Sequence, residues 1–397
     1  MLFWKECKKT ICSLMFILYA AAVIFMYLSQ FGPELDSPLA KPQPGGTYNS
    51  IKKEIPEVLM PAATESLIGE YLAGSYTAYP FLFYKEVKLK ESDSIKIAKI
   101  LEELTGIAGQ EPDDFTEYQI SENVSYERFK ELMKQADEII GGGSRYSEQY
   151  LIANFSTVPM SYEEALEEYE TVTDEKNIAE SYSRLYCDYM GIAVGIIPVF
   201  VCVGLWQMDK KSRMEQLVYS RRISSAKLIT IRYLAMVICM FIPVLLTFIH
   251  AMLGVSALYP EKNISFGKAA GLALIWLLPE IMIVSGIGAL ISELFSPFLA
   301  VFVQGIWWYA ALEKNELTGS ITKYTLMIRH NTLGQPVLFE LQFSTFIQNR
   351  ITYMLMSLFS VGLLIFVYDK IRRGGFHRGI KFEVKNVWKN NKRKFSA

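Results

Sequence analysis

Residues 269–291 read AAGLALIWLLPEIMIVSGIGALI, and this stretch decides the class of fold. Its 23 residues include a single ionisable side chain, Glu280. An α-helix of that length extends about 35 Å at about 1.5 Å per residue. Because the hydrocarbon core of a bilayer is about 30 Å thick, such a helix can cross it. The stretch therefore predicts a membrane protein.

Five further windows have the apolar character and the approximate length of a membrane span. They are 11–28, 190–206, 234–255, 298–312 and 351–368. Only residues 292–297, which include an acid and a proline, separate the fourth window from the short fifth one, so a tight loop is predicted there. We therefore expect an all-α polytopic membrane protein with about six transmembrane helices.

The distribution of charge orients these helices, because Lys and Arg concentrate in cytoplasmic loops. Half of the 40 basic residues lie before the first span, between the second and third spans, and after the sixth. Residues 31–188 have the opposite balance, with 30 acids against 14 bases. Six spans with both termini in the cytoplasm place every basic segment inside. We expect a multi-pass protein of the plasma membrane, from a bacterium.

The predicted topology divides the chain into five parts. They are a cytoplasmic or interfacial segment at 1–10, a first transmembrane helix at 11–30, an acidic extracytoplasmic domain at 31–186, five further helices at 187–368, and a basic cytoplasmic tail at 369–397. The first helix could alternatively be a secretory signal peptide, but its long apolar run and poor cleavage site favour an uncleaved span. The tail could bind anionic membrane lipids or contact a partner protein.

The large extracytoplasmic domain is predicted to be mostly helical, with weak strand signals. Apolar positions at 95, 97, 100, 101 and 104 predict a helix that ends at Gly106, and a second set at 129–140 predicts one that ends at Gly141. Ser161 begins a third helix, which could continue into the second span. The best strand signal is 81–84 with Val87. The excess of acids could attract cationic peptides or metal ions, but a solvated surface is the simpler interpretation.

Motifs for chemistry are absent from the sequence. It contains no phosphate-binding loop of the G-x-x-x-x-G-K-[ST] type, no H-E-x-x-H and no G-x-S-x-G. Five cysteines without C-x-x-C spacing and three scattered histidines predict neither a metal site nor a redox motif. We expect a protein that is not itself an enzyme, binds no cofactor or metal, and does not bind nucleic acid.

Glu280 follows Pro279 near the middle of the fourth span, where a charged side chain is costly and is a functional candidate by default. The proline frees a backbone carbonyl one turn earlier, which a substrate or a neighbouring helix could use. Alternatively, Glu280 is protonated and bonded to another span. His250 is a candidate partner, although it lies roughly 8 Å nearer the outer face by helix rise.

The loop at 208–231 is the most informative segment for function. From residue 210 it reads KKSRMEQLVYSRRISSAKLITIRY. This order resembles the coupling segment of ABC-2 type permeases, the membrane subunits of ABC exporters, in which a glutamate precedes an apolar stretch, a turn containing Ser and Arg, and a lysine. The family's Gly-Thr after the glutamate and its proline before the serine are absent here. The matching positions are Glu215, Ser220, Arg221, Ser224 and Lys227.

Two other segments resemble the same family. Residues 3–9 are similar to its short interfacial helix before the first span, and their aromatic and basic side chains suit a membrane interface. The polar stretch at 313–350 is similar to the family's outer segment, which folds back partly into the membrane.

The resemblance implies a mechanism. A separate ATPase subunit docks on loop 208–231 and hydrolyses ATP with Mg²⁺, while a second copy or homologue of the permease completes the pathway. The residues implied at the ATPase contact are Glu215, Arg221, Arg222, Ser224 and Lys227.

Two interpretations from other functional classes remain open from the residues. The chain could be a membrane sensor or immunity protein whose acidic outer domain binds a ligand without transport. It could also be an ion-coupled carrier that uses Glu280, although such carriers typically contain inverted repeats and none is visible here.

Overall fold

The computed structural model describes residues 1–79, 84–107, 120–121, 123–318, 324–330 and 332–374. The predicted strand signal at 81–83 and the tail from residue 375 onward lie outside these residues. Within them the chain is mostly helical and holds no closed sheet, as the sequence predicts.

Fourteen helices and four short strands make up the described part of the chain. The helices are α1 (Leu2–Ile11), α2 (Leu14–Met26), α3 (Pro56–Ala73), α4 (Glu91–Thr105), α5 (Tyr126–Ile140), α6 (Glu148–Phe155), α7 (Tyr162–Thr173), α8 (Ile178–Val194), α9 (Pro198–Lys211), α10 (Glu215–Tyr219), α11 (Ser225–Leu258), α12 (Gly267–Leu294), α13 (Pro297–Thr318) and α14 (Pro336–Arg372). The strands are β1 (Ser50–Lys52), β2 (Tyr76–Ala78), β3 (Lys85–Val87) and β4 (Thr157–Pro159).

Four of the described helical segments are long and apolar enough to cross a membrane. They are Leu14–Leu35, Ser225–Leu258, Gly267–Leu294 and Leu338–Arg372. The bent pair α8–α9 makes a fifth if it counts as one span. Helix α13 coincides with the predicted fifth window but is not among them, so the count of six stays a prediction. The tight loop predicted at 292–297 is present, since α12 ends at Leu294 and α13 begins at Pro297.

The first span begins later than predicted, because the chain breaks at Cys12–Ser13 and Ile11 belongs to α1. The Ser13 hydroxyl accepts a hydrogen bond from the Phe16 amide and caps α2. Beyond Met26 the helix continues as a π-turn and a 3₁₀-turn to Leu35. The Tyr19 hydroxyl of α2 donates to the Met240 carbonyl of α11 over 2.8 Å, which joins the first span to the bundle.

The predicted window at 190–206 is wrong as a single straight helix. The structure breaks it at 195–197, and α8 and α9 meet at an angle of 41°. Pro198 starts α9, where its missing amide hydrogen costs no helical hydrogen bond. Helix α8 begins at Ile178, so the buried part of this element starts before the predicted boundary at 187.

The largest hydrophobic core lies among α2, α8, α11, α12 and α14. Aromatic side chains make up about a third of it, and Trp276 of α12 stacks on Phe339 of α14 with ring centroids 5.7 Å apart. The Tyr186 hydroxyl of α8 donates to the Val244 carbonyl of α11 over 2.6 Å. Helices α12 and α14 form the central pair, and α8–α9 packs along α12.

A second core is formed by α3, α4, α5 and α6 in the region between the first two spans. The helix ends predicted at Gly106 and Gly141 are confirmed, and both glycines take positive φ angles of 72° and 113° that terminate α4 and α5. Arg128 of α5 donates two hydrogen bonds to Glu103 of α4, and these bonds lower the pKa of that carboxyl.

Two expectations for this region are corrected by the structure. Ile95 does not join the buried face of α4, since its side chain is 53% exposed. The helix that starts at Ser161 does not continue into the second span, because α7 ends at Thr173 and residues 174–177 form a turn before α8. The predicted start at Ser161 is confirmed by a reciprocal capping box with Glu164.

Two antiparallel strand pairs complete the region between the first two spans. Strand β1 pairs with β4, with Ile51 opposite Val158, and β2 pairs with β3, with Thr77 opposite Glu86. The first pair ties the extended segment after the first span to the chain just before α7. This places the start and the end of the region side by side, as an insertion between two helices of a bundle requires.

We expect Leu101→Ala to destabilise the region between the first two spans by about 2–5 kcal/mol, because Leu101 is fully buried in its core. Ile95→Ala, on the exposed side of the same helix, is the matched control and should change stability by less than about 1 kcal/mol. Pulse proteolysis of the purified full-length protein in urea measures both. Equal resistance of the two variants would contradict the assigned face of α4.

Candidate functional site

The segment predicted to couple to an ATPase forms a short helix between two turns. Helix α9 ends at Lys211, the chain turns through Arg213 at a positive φ of 56°, and α10 covers Glu215–Tyr219. After a second turn, the Ser224 hydroxyl accepts a hydrogen bond from the Lys227 amide and caps α11. Ser224 therefore fixes where the long helix begins.

The outward side of this segment is both basic and apolar. Arg221, Arg222, Ser224 and Lys227 are exposed. Leu217 of α10 is 58% exposed, and Met214 just before it is 46% exposed. Exposed apolar side chains on one short helix, beside guanidinium groups, are typical of a protein-docking surface.

Glu215 differs from the other predicted coupling residues in its position. It is half-buried at the first turn of α10, where a helix N-terminus favours a carboxylate. It lines a small hollow together with Lys210 of α9 and Arg232 of α11. The structure thus places Glu215 on the side of the coupling segment that faces the bundle, while Arg221, Arg222 and Lys227 are exposed.

Arg372 holds the coupling segment against the end of α14, and sequence reasoning missed this role. Its guanidinium donates to the carbonyls of Tyr219, Arg221 and Ile223 over 2.7 to 3.0 Å. The ring of Tyr219 also meets that of Tyr368 edge-on at 5.7 Å. In the sequence Arg372 is one of many bases after the last span, and nothing distinguishes it from its neighbours.

Ion pairs connect the helices at the same end of the bundle. Asp209 of α9 binds Lys9 of α1 at 3.0 Å and Arg232 of α11 at 2.6 Å, and Arg232 also contacts Glu6 at 3.4 Å. The carboxylate of Glu293 on α12 is fully buried and binds the Lys210 ammonium at 3.1 Å. These pairs tie α1, α9, α11 and α12 together beside the coupling segment.

Glu280, the second predicted site, forms an ion pair inside the bundle. Its Oε2 lies 3.2 Å from Nη1 of Arg350 on α14, and both side chains are almost completely buried. The same guanidinium donates to the Trp276 carbonyl over 2.9 Å and to the Leu326 carbonyl over 3.1 Å. Pro279 removes one helical hydrogen bond from this turn of α12, beside the carbonyl that Arg350 binds.

The carboxyl group of Glu280 lies over the break between α8 and α9. A Cβ atom at Gly195 would lie only 2.9 Å from Glu280 Oε1, so glycine is required there for close approach. The side-chain amide of Gln304 on α13 donates to the Gly195 carbonyl over 2.6 Å. The break is therefore filled by polar side chains from α12 and α13.

Residues 324–330 enter the bundle without helical structure. Leu326, Met327 and Ile328 are fully buried. Non-helical backbone at such a depth is tolerated only where protein surrounds it. The folding back of the outer segment at 313–350 stays a prediction, and α14 already begins at Pro336 and includes the last part of that range.

Asp188 of α8 binds the far end of this buried segment. Its Oδ1 accepts hydrogen bonds from the Arg329 side chain at 2.9 Å and from the His330 amide at 2.5 Å. The imidazole Nε2 of His330 donates to the Gly334 carbonyl over 3.2 Å. The segment is therefore fixed to α8 just before the chain turns into α14.

His250 is not brought to Glu280. It is exposed on α11, where its Nδ1 lies 2.6 Å from the Tyr27 hydroxyl of the first span. Glu280 has Arg350 as its partner instead. Sequence reasoning missed Arg350 because the predicted sixth span began one residue after it, which assigned Arg350 to an outer loop.

Comparison with known families agrees with this geometry. The family model described as ABC-2 family transporter protein matches residues 76–312, more than half of the chain. The chain belongs to the ABC-2 transporter family. No curated protein and no solved structure matches it. The family predicted from the coupling segment is thereby confirmed, and the chain is a membrane permease component of an ABC transporter.

The family match covers the coupling segment but only part of the buried ion-pair site. It includes the coupling segment at 208–231 and Glu280, but it ends before residues 324–330 and Arg350. The family also implies partnership with an ABC ATPase subunit. The family match therefore contains Glu280 without its partner Arg350, and the structure shows their pairing.

We expect Arg372→Ala to loosen the coupling segment, because three backbone carbonyls lose their donor. Trypsin should then cleave at the exposed Arg221 and Arg222 several-fold faster in the purified permease. Arg373→Ala is the matched control, since Arg373 is exposed and pairs only with Asp369 among the described residues. Cleavage at the wild-type rate in Arg372→Ala would show that the clamp does not order the segment.

Proposed function

We propose that this chain is the transmembrane subunit of an ATP-driven exporter and works with a separate ATPase subunit. The ATPase docks on segment 208–231 and supplies ATP and Mg²⁺ chemistry. The observation that carries the proposal is the short helix α10, which exposes the apolar side chain of Leu217 beside the exposed Arg221 and Arg222 of the following turn, while its backbone is fixed to the bundle by Arg372.

The fixed backbone matters because a coupling element must transmit force. A loop that moved freely would absorb the displacement of an ATPase without moving the spans. Arg372 joins the coupling segment to α14, and Ser225 at the start of α11 donates to Asp369 of α14 over 2.8 Å. Lys210 joins α9 to α12 through Glu293. A push on α10 therefore reaches the ends of several long helices.

The remaining parts of the proposal follow from the family and the charge pattern. Six spans with both termini in the cytoplasm place the coupling segment inside and the acidic domain outside. Two permease subunits, identical or homologous, pair to build the pathway. The basic tail beyond α14 binds anionic lipids of the inner leaflet of a bacterial plasma membrane.

The two alternative functions have less support from the contacts. A carrier that uses Glu280 needs a carboxyl group that exchanges partners with an ion, but Glu280 is charge-balanced by Arg350. A sensor that acts without an ATPase leaves the exposed apolar side chains of Met214 and Leu217 unexplained. Each alternative predicts that the chain works in the absence of an ATPase.

Co-purification tests the proposed function directly. With a tag on the C-terminus and extraction from native membranes in mild detergent, an ATPase with a Walker motif should accompany the chain at roughly one-to-one stoichiometry. ATP hydrolysis by the complex should be sensitive to vanadate. Recovery of the chain alone, or with a partner that is not an ATPase, would overturn the proposal.

Substitutions in the coupling segment test the docking surface. We expect Leu217→Asp and Arg222→Glu each to reduce the amount of co-purified ATPase at least tenfold, because one places a charge in an apolar contact and the other reverses a charge. The matched controls are Leu72→Asp and Lys99→Glu, which change exposed residues of the outer region in the same way. Retention of the ATPase by both coupling-segment variants would rule out this contact.

A further inference from the structure

Segment 324–330, of which residues 325–328 are buried, is held at one end through three consecutive carbonyls that accept hydrogen bonds from α14. The Tyr353 hydroxyl donates to the Tyr324 carbonyl over 2.6 Å, and the Asn349 amide donates to the Thr325 carbonyl over 2.9 Å. The Arg350 guanidinium donates to the Leu326 carbonyl over 3.1 Å. These donors, at 349, 350 and 353, lie on one side of α14. The backbone of the segment is thus bound to α14 by side chains of that helix.

The other end of the segment is held by α8. Asp188 accepts from the Arg329 side chain and from the His330 backbone. Between the two ends, Met327 packs at the break between α8 and α9, where its Cγ would lie 3.1 Å from a Cβ atom at Gly195. The segment therefore bridges α14 and α8 and fills the place where α8 gives way to α9.

The charges at this place balance but are not fully hydrogen-bonded. Two carboxylates, Glu280 and Asp188, face two guanidinium groups, Arg350 and Arg329. Within the described residues, Glu280 Oε1, Asp188 Oδ2 and Arg350 Nε are buried and have no hydrogen-bond partner. Water that entered on separation of the helices would hydrate these atoms, which lowers the cost of opening.

We propose that residues 324–330 form the outer gate of the transport pathway, and that the pairs Glu280–Arg350 and Asp188–Arg329 are the latch that holds it closed. This inference rests on the proposed function, since a gate is needed only where a substrate passes. Arg350 is then a positioning residue, which holds the gate rather than contacting the substrate. The latch opens when α8 and α14 move apart around α12.

The helices that carry the latch residues are connected to the coupling segment by hydrogen bonds and ion pairs at their other ends. Helix α14 carries Arg350 near its middle and Arg372 at its end, and α12 carries Glu280 and the buried Glu293. Helix α9, which continues from α8 after the break, carries Lys210. A displacement at α10 therefore has a continuous route through packed helices to each side of the gate.

The test measures access to the gate from the outer side. Leu326→Cys is introduced together with Cys12→Ser, which removes the one native cysteine that is exposed. The remaining native cysteines are buried, and the Cys12→Ser protein without Leu326→Cys gives the background. A membrane-impermeant maleimide is added outside to intact cells that express the full chain, and the rate of labelling is followed.

With the latch intact, the thiol introduced at position 326 should be protected. We expect Glu280→Gln and, separately, Asp188→Asn to raise its labelling rate at least tenfold, because each removes a charge from the latch with little change of shape. Glu340→Gln is the matched control, an exposed glutamate on α14. Gel filtration of each variant checks that it folds. Folded latch variants that stay as protected as Glu340→Gln would overturn the proposal.

A second arm separates the gate from the proposed function. In inside-out vesicles preloaded with the maleimide, ATP should raise the labelling of the same introduced thiol in the latch-intact protein. If the latch variants are labelled but ATP has no effect, the latch stands and ATP-driven transport fails. If ATP acts but the latch variants stay protected, transport stands and the gate lies elsewhere.

Discussion

A stretch of non-helical backbone inside a helical bundle has no neighbouring strand or water to bond with, so side chains must satisfy its polar groups. In this permease that constraint falls on residues 324–330, and α14 meets it with Asn349, Arg350 and Tyr353. The packing of α8, α12 and α14 around the segment depends on this arrangement. Without it, α13 and α14 would be joined by a loop that could not enter the interior.

Arg350 donates to the backbone of the buried segment, and the burial of its own charge has to be compensated. A guanidinium group taken out of water costs several kcal/mol unless charge and hydrogen bonds replace its hydration. Glu280 supplies the charge, and the carbonyls of Trp276 and Leu326 supply acceptors. Removing one partner of such a buried pair costs about 3–5 kcal/mol, since the other is left uncompensated. The glutamate in the fourth span is therefore explained by the arginine opposite.

The elements that depend on local pattern could be predicted from the sequence. Long apolar windows indicated the helices, and glycines at positive φ marked the ends of α4 and α5. The break between α8 and α9 could not be predicted in this way. Hydropathy discounts α8 because it carries Arg184 and Asp188, yet both are buried through contacts with the distant residues Arg329 and Leu333.

The same reasoning explains which candidate positions could be named from the sequence. Ser224 and Glu215 belong to a local order of residues around a helix start, and such an order is visible in a single sequence. Arg350 and Arg372 act on backbone carbonyls far away in the chain, 24 and 153 residues distant. An arginine next to a span normally indicates only orientation, and its partners are set by packing that a window of sequence does not contain.

Helix α14 gives the two sites a common mechanical element. Arg350 and Arg372 lie 22 residues apart on it, which is about 33 Å along a helix axis. Helices α11 and α12 contain internal prolines, Pro243 and Pro279, whereas α14 has its proline at the first turn, where it does not interrupt the hydrogen bonds. A helix without such an interruption moves as one body. One uninterrupted helix therefore connects the coupling segment, through Arg372, to Arg350 and the backbone of the segment at 324–330.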